Sequence, residues 1–249
     1  MNNLVSIITP TYNSASFIKE CINSVFDQTY SDWEMIIVDD CSVDNTKILL
    51  EEFKNKDKRI KIIYLNTNSG PAEARNMAIS IARGRYIAFL DSDDYWHPDK
   101  LKLQISFMQE QNIAFSFTSY QHISHDGKQE YRAIEVPKKI SYHKYLKNTI
   151  IGCLTVVIDV KKTGSFKMPN IRSSQDMALW LLIMKRGFTA FGLNIPLAKY
   201  RITEFSNTSN KIAAAIDVWR VYRQIEHLGF FYSCICFTGY VFNAIRKRI

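Results

Sequence analysis

Over the first 121 positions, short unbroken apolar runs alternate with apolar stripes spaced three and four residues apart. LVSIIT (4–9), WEMIIVDD (33–40), RIKIIYLN (59–66), RYIAFLD (85–91) and IAFSFTSYQ (113–121) carry little polar alternation and read as buried strands. The segments between them have helical spacing. Phe17, Ile18, Cys21, Ile22, Val25 and Phe26 share one face of a helix predicted over 15–27. Ser42 or Asp44 can cap a second helix running to Lys56. Gly70-Pro71 opens a third, through Ala82, with proline suited to its first turn, and Pro98 starts a fourth.

Apolar strands separated by helices predict an α/β fold with a mostly parallel sheet covered on both faces. Ligands of such sheets bind beyond the carboxyl ends of the strands. Three polar clusters fall there: Thr9-Pro10-Thr11-Tyr12-Asn13, Asp39-Asp40 and Asp91-Ser92-Asp93. They are far apart in sequence but predicted to converge on one crevice.

The second half has a different texture. Asp126-Gly127 marks a turn, 141–147 suits a short helix, and LTVVID (154–159) is a further strand candidate. Residues 174–186, through QDMALWLLIMK, read as a helix ended by Gly187. PLAKYRI (196–202) looks extended. An amphipathic helix is predicted over 208–227, with Ile212, Ala215, Ile216, Trp219, Tyr222 and Ile225 on one side.

With 249 residues and 47% hydrophobic content, the chain suits one large domain with an appendage. The expected division is one domain over 1–210, with halves at 1–121 and 122–210, and a helical extension over 211–249. The start of the chain has no basic flank and only a short apolar run, so it is not read as a signal peptide and a cytoplasmic protein is expected. Five cysteines without metal-ligand spacing fit idle thiols in a reducing compartment.

The net charge of +8 is concentrated late: from Lys199 onward there are eight basic residues and three acidic ones. A basic end suits an anionic partner, and an anionic membrane surface is the one expected. The basic residues form no recognisable nucleic-acid motif, so no nucleic acid is expected.

The acids carry the candidate chemistry. Asp91 and Asp93, two residues apart at a strand end, can share one hard divalent cation, Mg²⁺ or Mn²⁺, whose remaining ligands come from a diphosphate. A solvated, helix-capping acid cluster is the competing explanation. An acid at the end of the second strand, Asp39 or Asp40, can accept hydrogen bonds from a base or ribose, or cap the helix that follows. Arg75 can supply positive charge to a phosphate at the same edge.

With these residues in place, the chain resembles the family-two glycosyltransferases, whose fold is called GT-A. VSIITPTYNSASFIKECINSVFDQTYSDWEMIIVDDCSVDNT and GPAEARNMAISIARGRYIAFLDSDD carry the resemblance, and SQDMALWL and YRITEFSNTS are similar to later motifs of that family. The match spans residues 4–210. It implies an inverting glycosyltransferase with a nucleotide-sugar donor, UDP-linked, and a divalent metal. It places Pro10, Tyr12 and Asp39 around the nucleotide base and ribose. Asp91, Ser92 and Asp93 are placed at the ribose and the metal–diphosphate, with Asp91 and Asp93 as metal ligands. Asp176 is expected to be the catalytic base; where the family usually has Glu-Asp, this chain has Gln175-Asp176. Tyr200-Arg201 resembles a later donor-phosphate motif, in which Arg201 would grip a phosphate with its planar fork. The chain has Thr203-Glu204 where that family often has histidine, so metal ligation is not expected from this segment. Trp180 is read as core or pocket wall.

GFFYSCICFTGYVFNAI (229–245), followed by Arg246-Lys247-Arg248, is short for a membrane span and contains Ser233, Thr238 and Asn243. A helix lying in the interface is expected, making the protein peripheral on the inner face of the membrane. That location suits a lipid-linked saccharide acceptor of bacterial surface-polysaccharide assembly. The rival explanation of the segment is a last core helix or a subunit contact, and the oligomeric state stays open. The rival functions are a phospho-receiver module, a nucleotidyltransferase, and a non-catalytic saccharide- or nucleotide-binding membrane protein. A receiver leaves Asp176 unexplained, and TPTYNSAS lacks the glycine-rich basic loop of a nucleotidyltransferase.

Overall fold

The computed structural model describes residues 3–171, 173–203 and 211–246. Its first half alternates as the apolar pattern predicts. β1 (Val5–Thr11), α1 (Ile18–Phe26), β2 (Trp33–Asp39), α2 (Thr46–Lys56), β3 (Ile60–Tyr64), α3 (Pro71–Ile81) and β4 (Tyr86–Phe89) follow in order. The second half adds β5 (Tyr95–Trp96), α4 (Lys100–Glu110), β6 (Phe115–Ile123), β7 (Glu130–Ile134), β8 (Lys139–Ile140) and α5 (Tyr142–Tyr145). Then come β9 (Val157–Asp159), α6 (Val160–Thr163), α7 (Gln175–Lys185), β10 (Ala190–Arg201), α8 (Lys211–Arg220) and α9 (Phe230–Arg246).

All these strands join one sheet, in the order β3-β2-β1-β4-β9-β6-β10-β5, with β7 on β6 and β8 on β10. β3, β2, β1 and β4 are parallel neighbours. β9 then runs antiparallel to both β4 and β6, and β10 is parallel to β6. The parallel run predicted from five strands is therefore interrupted, because the three residues of β9 wedge between the fourth and fifth predicted strands. β6 and β10 nonetheless point the same way as β1, β2 and β4. The carboxyl ends of all of them open on one edge, and that edge positions the site.

The two faces are covered separately. Val5, Ile7, Met35 and Ile37 pack with Ile18, Ile22 and Leu101 on one side. Ile8, Ile36, Phe89 and Phe117 pack with Ala74, Ala78 and Trp180 on the other. Trp180 is wholly buried against Phe89 and Phe115, at centroid separations of 5.4 Å, so it is core. Gly84 is a point of close approach: a Cβ there would lie 2.6 Å from the Ser6 backbone nitrogen. The first face also hides a cation. Lys100 is fully buried, its Nζ 2.7 Å from Gln104 Oε1 and 4.2 Å above the Trp96 ring.

The predicted 208–227 helix is broken. α8 gives way to a wider π turn over Val221–Ile225, and His227 takes a left-handed φ of 52° that reverses the chain into α9. The predicted start at 208 lies outside the described residues. The extension is anchored in the main core: Val218, Tyr222 and Cys236 belong to the Trp180 cluster. Tyr142 Oη donates to Glu226 Oε2 at 2.5 Å, and Lys185 pairs with the same carboxylate at 3.0 Å. α9 has a second, outward ridge: Phe231 is 83% exposed and Phe242 65%, with Ile235 and Ile245 between and beyond. Among the described residues no helix is long and apolar enough to cross a membrane.

Candidate active site

A cleft of about 1060 Å³ opens at the carboxyl edge of the sheet. One wall comes from the tip of β1, where Pro10, Tyr12 and Ser14 line it, together with Asp40 after β2 and Gly70-Pro71 at the start of α3. The floor is the acid loop after β4, residues Asp91 to Asp94. The far wall carries Tyr120 and His122 of β6, Tyr200 of β10, and Asp176 at the start of α7.

Hydrogen bonds fix the acid loop in place. Ser92 Oγ lies 2.8 Å from Ser14 Oγ, tying the loop to the tip of β1. Asp94 Oδ1 accepts the Arg201 amide at 2.8 Å, and Arg201 Nε donates to the Asp93 carbonyl at 2.9 Å. Arg201 also pairs with Glu20 and donates to the His125 carbonyl. It supports the loop through these bonds, is almost fully buried, and does not line the cleft.

Arg75 lies between the acids and α7. Its Nη2 donates to Asp91 Oδ1 at 2.5 Å, and its Nη1 reaches Gln175 Oε1 at 3.4 Å. Gln175 Nε2 in turn donates to the Ile171 carbonyl at 2.8 Å, and Ser174, just before α7, takes a left-handed φ of 57°. Burial opposes the Arg75 charge, but the charge and hydrogen bond of Asp91, with smaller contributions from Cys153 and Asp176, together raise its pKa. One buried cation thus links the acid loop to the segment that carries Asp176.

The remaining charge is unbalanced. Burial, then the neighbouring Asp91 charge, pushes the Asp93 carboxyl up to about 6. Asp94 is raised further, by burial and then by Asp93 and Asp91. Burial also raises Asp176, against the Met177 amide that donates to its Oδ1 at 2.8 Å and the charge of Arg75. Among the described residues no group of three or more His, Cys, Asp or Glu could hold a metal ion by itself. Two oxygen donors at a cleft floor short of positive charge suit a hard cation whose other ligands arrive with a substrate.

Of the sequence candidates, Pro10, Tyr12, Arg75, Asp91, Ser92, Asp93 and Asp176 line the cleft together, and Asp39 and Arg201 do not. Asp39 is fully buried; its Oδ2 accepts the Ser42 amide at 3.1 Å, while Oδ1 has no partner. Its neighbour Asp40 lines the cleft but accepts the Ser69 and Gly70 amides at 2.7 and 2.8 Å, holding the loop before α3. The sequence reading missed Tyr120 and His122. The rule applied to the tips of the first, second and fourth strands would have found them on the fifth.

Residues 6–168 match the model of glycosyl transferase family 2. A protein of Bacillus subtilis named as a teichuronic acid biosynthesis glycosyltransferase, TuaG, is 51% identical over 99% of this chain and 98% of its own length. The Escherichia coli protein WfgD, named as a UDP-Glc:alpha-D-GlcNAc-diphosphoundecaprenol beta-1,3-glucosyltransferase, is 42% identical over 88% of this chain and 85% of its own. Two solved structures share the fold. S. aureus TarS 1–349 with UDP-GlcNAc has a TM-score of 0.72 at 23% identity, covering 95% of this chain and 71% of that one. The mannosyltransferase PcManGT of Pyrobaculum calidifontis, with GDP-Man and Mn²⁺, has a TM-score of 0.73 at 15% identity, covering 99% and 71%.

Proposed function

Because the chain belongs to glycosyl transferase family 2, with the GT-A fold, we propose that it transfers a sugar with inversion from a UDP-sugar to a hydroxyl of a lipid-linked saccharide. One observation carries this reading: the cleft that receives the Asp91–Asp93 acid loop also receives Asp176, with Arg75 between them. The two roles an inverting transfer needs, holding a diphosphate and removing a hydroxyl proton, then fall within one cavity. The names of TuaG and WfgD support surface-polysaccharide assembly on a membrane-bound carrier.

Asp91 and Asp93 would hold Mg²⁺ or Mn²⁺. Bound there, the metal stabilises the negative charge that grows on the leaving diphosphate. Arg75 orients Asp91 through their ion pair. Arg201 and Asp94 keep the loop from moving as charge arrives. The nucleotide base would enter between the tips of β1 and β2 beside Pro10 and Tyr12, with the carboxylate of Asp39 buried behind them. Asp176 takes the proton of the acceptor hydroxyl, and its raised carboxyl makes it a stronger base than a solvated aspartate.

In this reading residues 1–121 bind the donor, 122–210 face the acceptor, and 211–249 attach the enzyme to the inner face of the membrane. The outward ridge of α9 and the Arg246-Lys247-Arg248 sequence support the attachment. The test uses UDP-glucose, Mn²⁺ and a GlcNAc-α-diphospho-lipid. The expected product carries a β-linked sugar with UDP released one for one. An α-linked product would refute inversion, and a panel of UDP-sugars that are neither transferred nor hydrolysed would refute the donor.

A further inference from the structure

The far wall of the cleft has no role in the donor chemistry above, and its composition is distinctive. Tyr120 and His122 alternate on β6, so their side chains share a face, and Tyr200 of β10 stands opposite His122 in register. The three rings form a contiguous cluster. Tyr120–His122 and His122–Tyr200 centroids are each 5.4 Å apart, and Tyr120–Tyr200 are 6.2 Å apart. All three are half-buried and all line the cleft. Burial lowers the His122 pKa and keeps its ring neutral at pH 7.

A second observation is the residue facing them. Gly152 lines the same cleft with φ −78° and ψ 137°, a conformation open to any residue, so the backbone does not require glycine. A Cβ there would sit 3.6 Å from Tyr120 Cε1 and 3.2 Å from Leu154 Cδ2. Glycine lets this segment pack closely on Leu154 and the Tyr120 ring, and a side chain there would press on that ring.

We propose that Tyr120, His122 and Tyr200, with Gly152 beside them, form the seat of the acceptor's sugar ring, a pyranose with its apolar C–H face on one ring and its rim against the edges of the others, which stand at 57–87° to one another. This rests on the transferase reading above. The acid loop runs on into β5, which pairs with β10, and Asp93 and Asp94 both bond Arg201 beside Tyr200, so the seat borders the donor's diphosphate. Asp176, the base for an acceptor hydroxyl, lines the same wall, so the ring seated there is the acceptor's, with its hydroxyls directed at that carboxylate. Aromatic rings supply broad apolar contact with little entropy cost, and their tyrosine hydroxyls can also bond the sugar.

The test compares Tyr120→Leu, His122→Leu, the ring-retaining His122→Phe, and Gly152→Ala, each checked by thermal unfolding. With UDP-glucose, Mn²⁺ and a GlcNAc-α-diphospho-lipid, both leucine variants should raise the acceptor KM about tenfold with a smaller change in kcat. His122→Phe, which keeps a ring, should raise the acceptor KM less than His122→Leu, Gly152→Ala should raise it too, and calorimetric affinities for UDP and UDP-glucose should hold within about twofold. Unchanged acceptor KM in folded leucine variants would overturn the proposal. So would a loss of UDP-glucose affinity relative to UDP, which would make the wall the seat of the donor's sugar. Saturation-transfer NMR with methyl N-acetyl-α-glucosaminide separates this proposal from the transferase reading. Contact to the sugar C–H protons that disappears in the leucine variants upholds the seat even if no transfer occurs. No contact, or contact indifferent to these variants, overturns it.

Discussion

Replacing Asp176 with asparagine separates catalysis from architecture. Asparagine has the same shape, and its side-chain oxygen can still accept the Met177 amide that Asp176 Oδ1 accepts at 2.8 Å. The charge and the proton-accepting capacity are lost. A positioned general base contributes about 10²–10⁴ in rate, or about 3–5 kcal/mol of barrier, and kcat should fall by that factor. Stability should move the other way. Burial raises the Asp176 pKa in the folded chain above its unfolded value. Across that window the native state holds more protons than the unfolded state, so stability falls as pH rises through it. The ionised carboxylate is therefore a net cost at pH 7, and the asparagine variant should have an equal or higher Tm. The wild-type kcat/KM should rise with pH through the raised carboxyl pKa, and this acidic limb should vanish in the variant. The assay is UDP release with acceptor present, alongside calorimetric UDP binding, whose Kd should stay within about threefold. A kcat within tenfold of wild type would refute the base. So would an activity loss matched by a lower Tm, which would make Asp176 structural.

Two further predictions concern stability and location. Lys100 is wholly buried, and burial lowers its pKa from 10.5 to about 7. Between those values the unfolded chain holds the proton and the folded chain does not, so the burden of Lys100 fades as pH rises across that window. The full gap corresponds to about 5 kcal/mol, less the loss at Gln104 when its partner is removed. Lys100→Met should therefore stabilise by about 2–3 kcal/mol in urea denaturation at pH 6 and destabilise by about 1 kcal/mol at pH 9.5; a pH-independent difference would contradict it. Phe231 and Phe242 are exposed on α9. The double variant Phe231→Ser/Phe242→Ser should keep its Tm but lose about 2 kcal/mol of binding to phosphatidylglycerol vesicles, about thirtyfold in sedimentation. Unchanged sedimentation would show that the ridge does not meet lipid.

The parallel half of the fold was legible because each element announces itself locally. Buried strands lack polar positions, Pro71 marks a helix start, and the α1 stripe repeats at helical spacing. The antiparallel β9 was read as a strand but not located, since it is fixed by partners distant in sequence: Ile158 pairs with Ile87, 71 positions away, and with Phe115, 43 positions away. β5, with two residues, has no periodicity to read. The π turn after α8 was hidden because apolar spacing continues through it while the hydrogen bonding changes. Within the site, strand-tip acids were visible as types, but their bonding was not. Nothing in Asp39-Asp40 says which side chain braces the loop before α3 and which keeps a free oxygen. Arg201 reads as a phosphate grip, yet its donors are engaged by Glu20 and by the Asp93 and His125 carbonyls, contacts that appear only once α1 and β10 are packed.

The central claim is that the aspartates at the tip of β4 share a divalent cation with the donor's diphosphate. Calorimetric titration of UDP into the protein with Mn²⁺, then with EDTA, tests it directly. The account predicts at least a tenfold loss of affinity on chelation, and the same loss in Asp93→Asn with Mn²⁺ present. Equal affinity in all three titrations would contradict it.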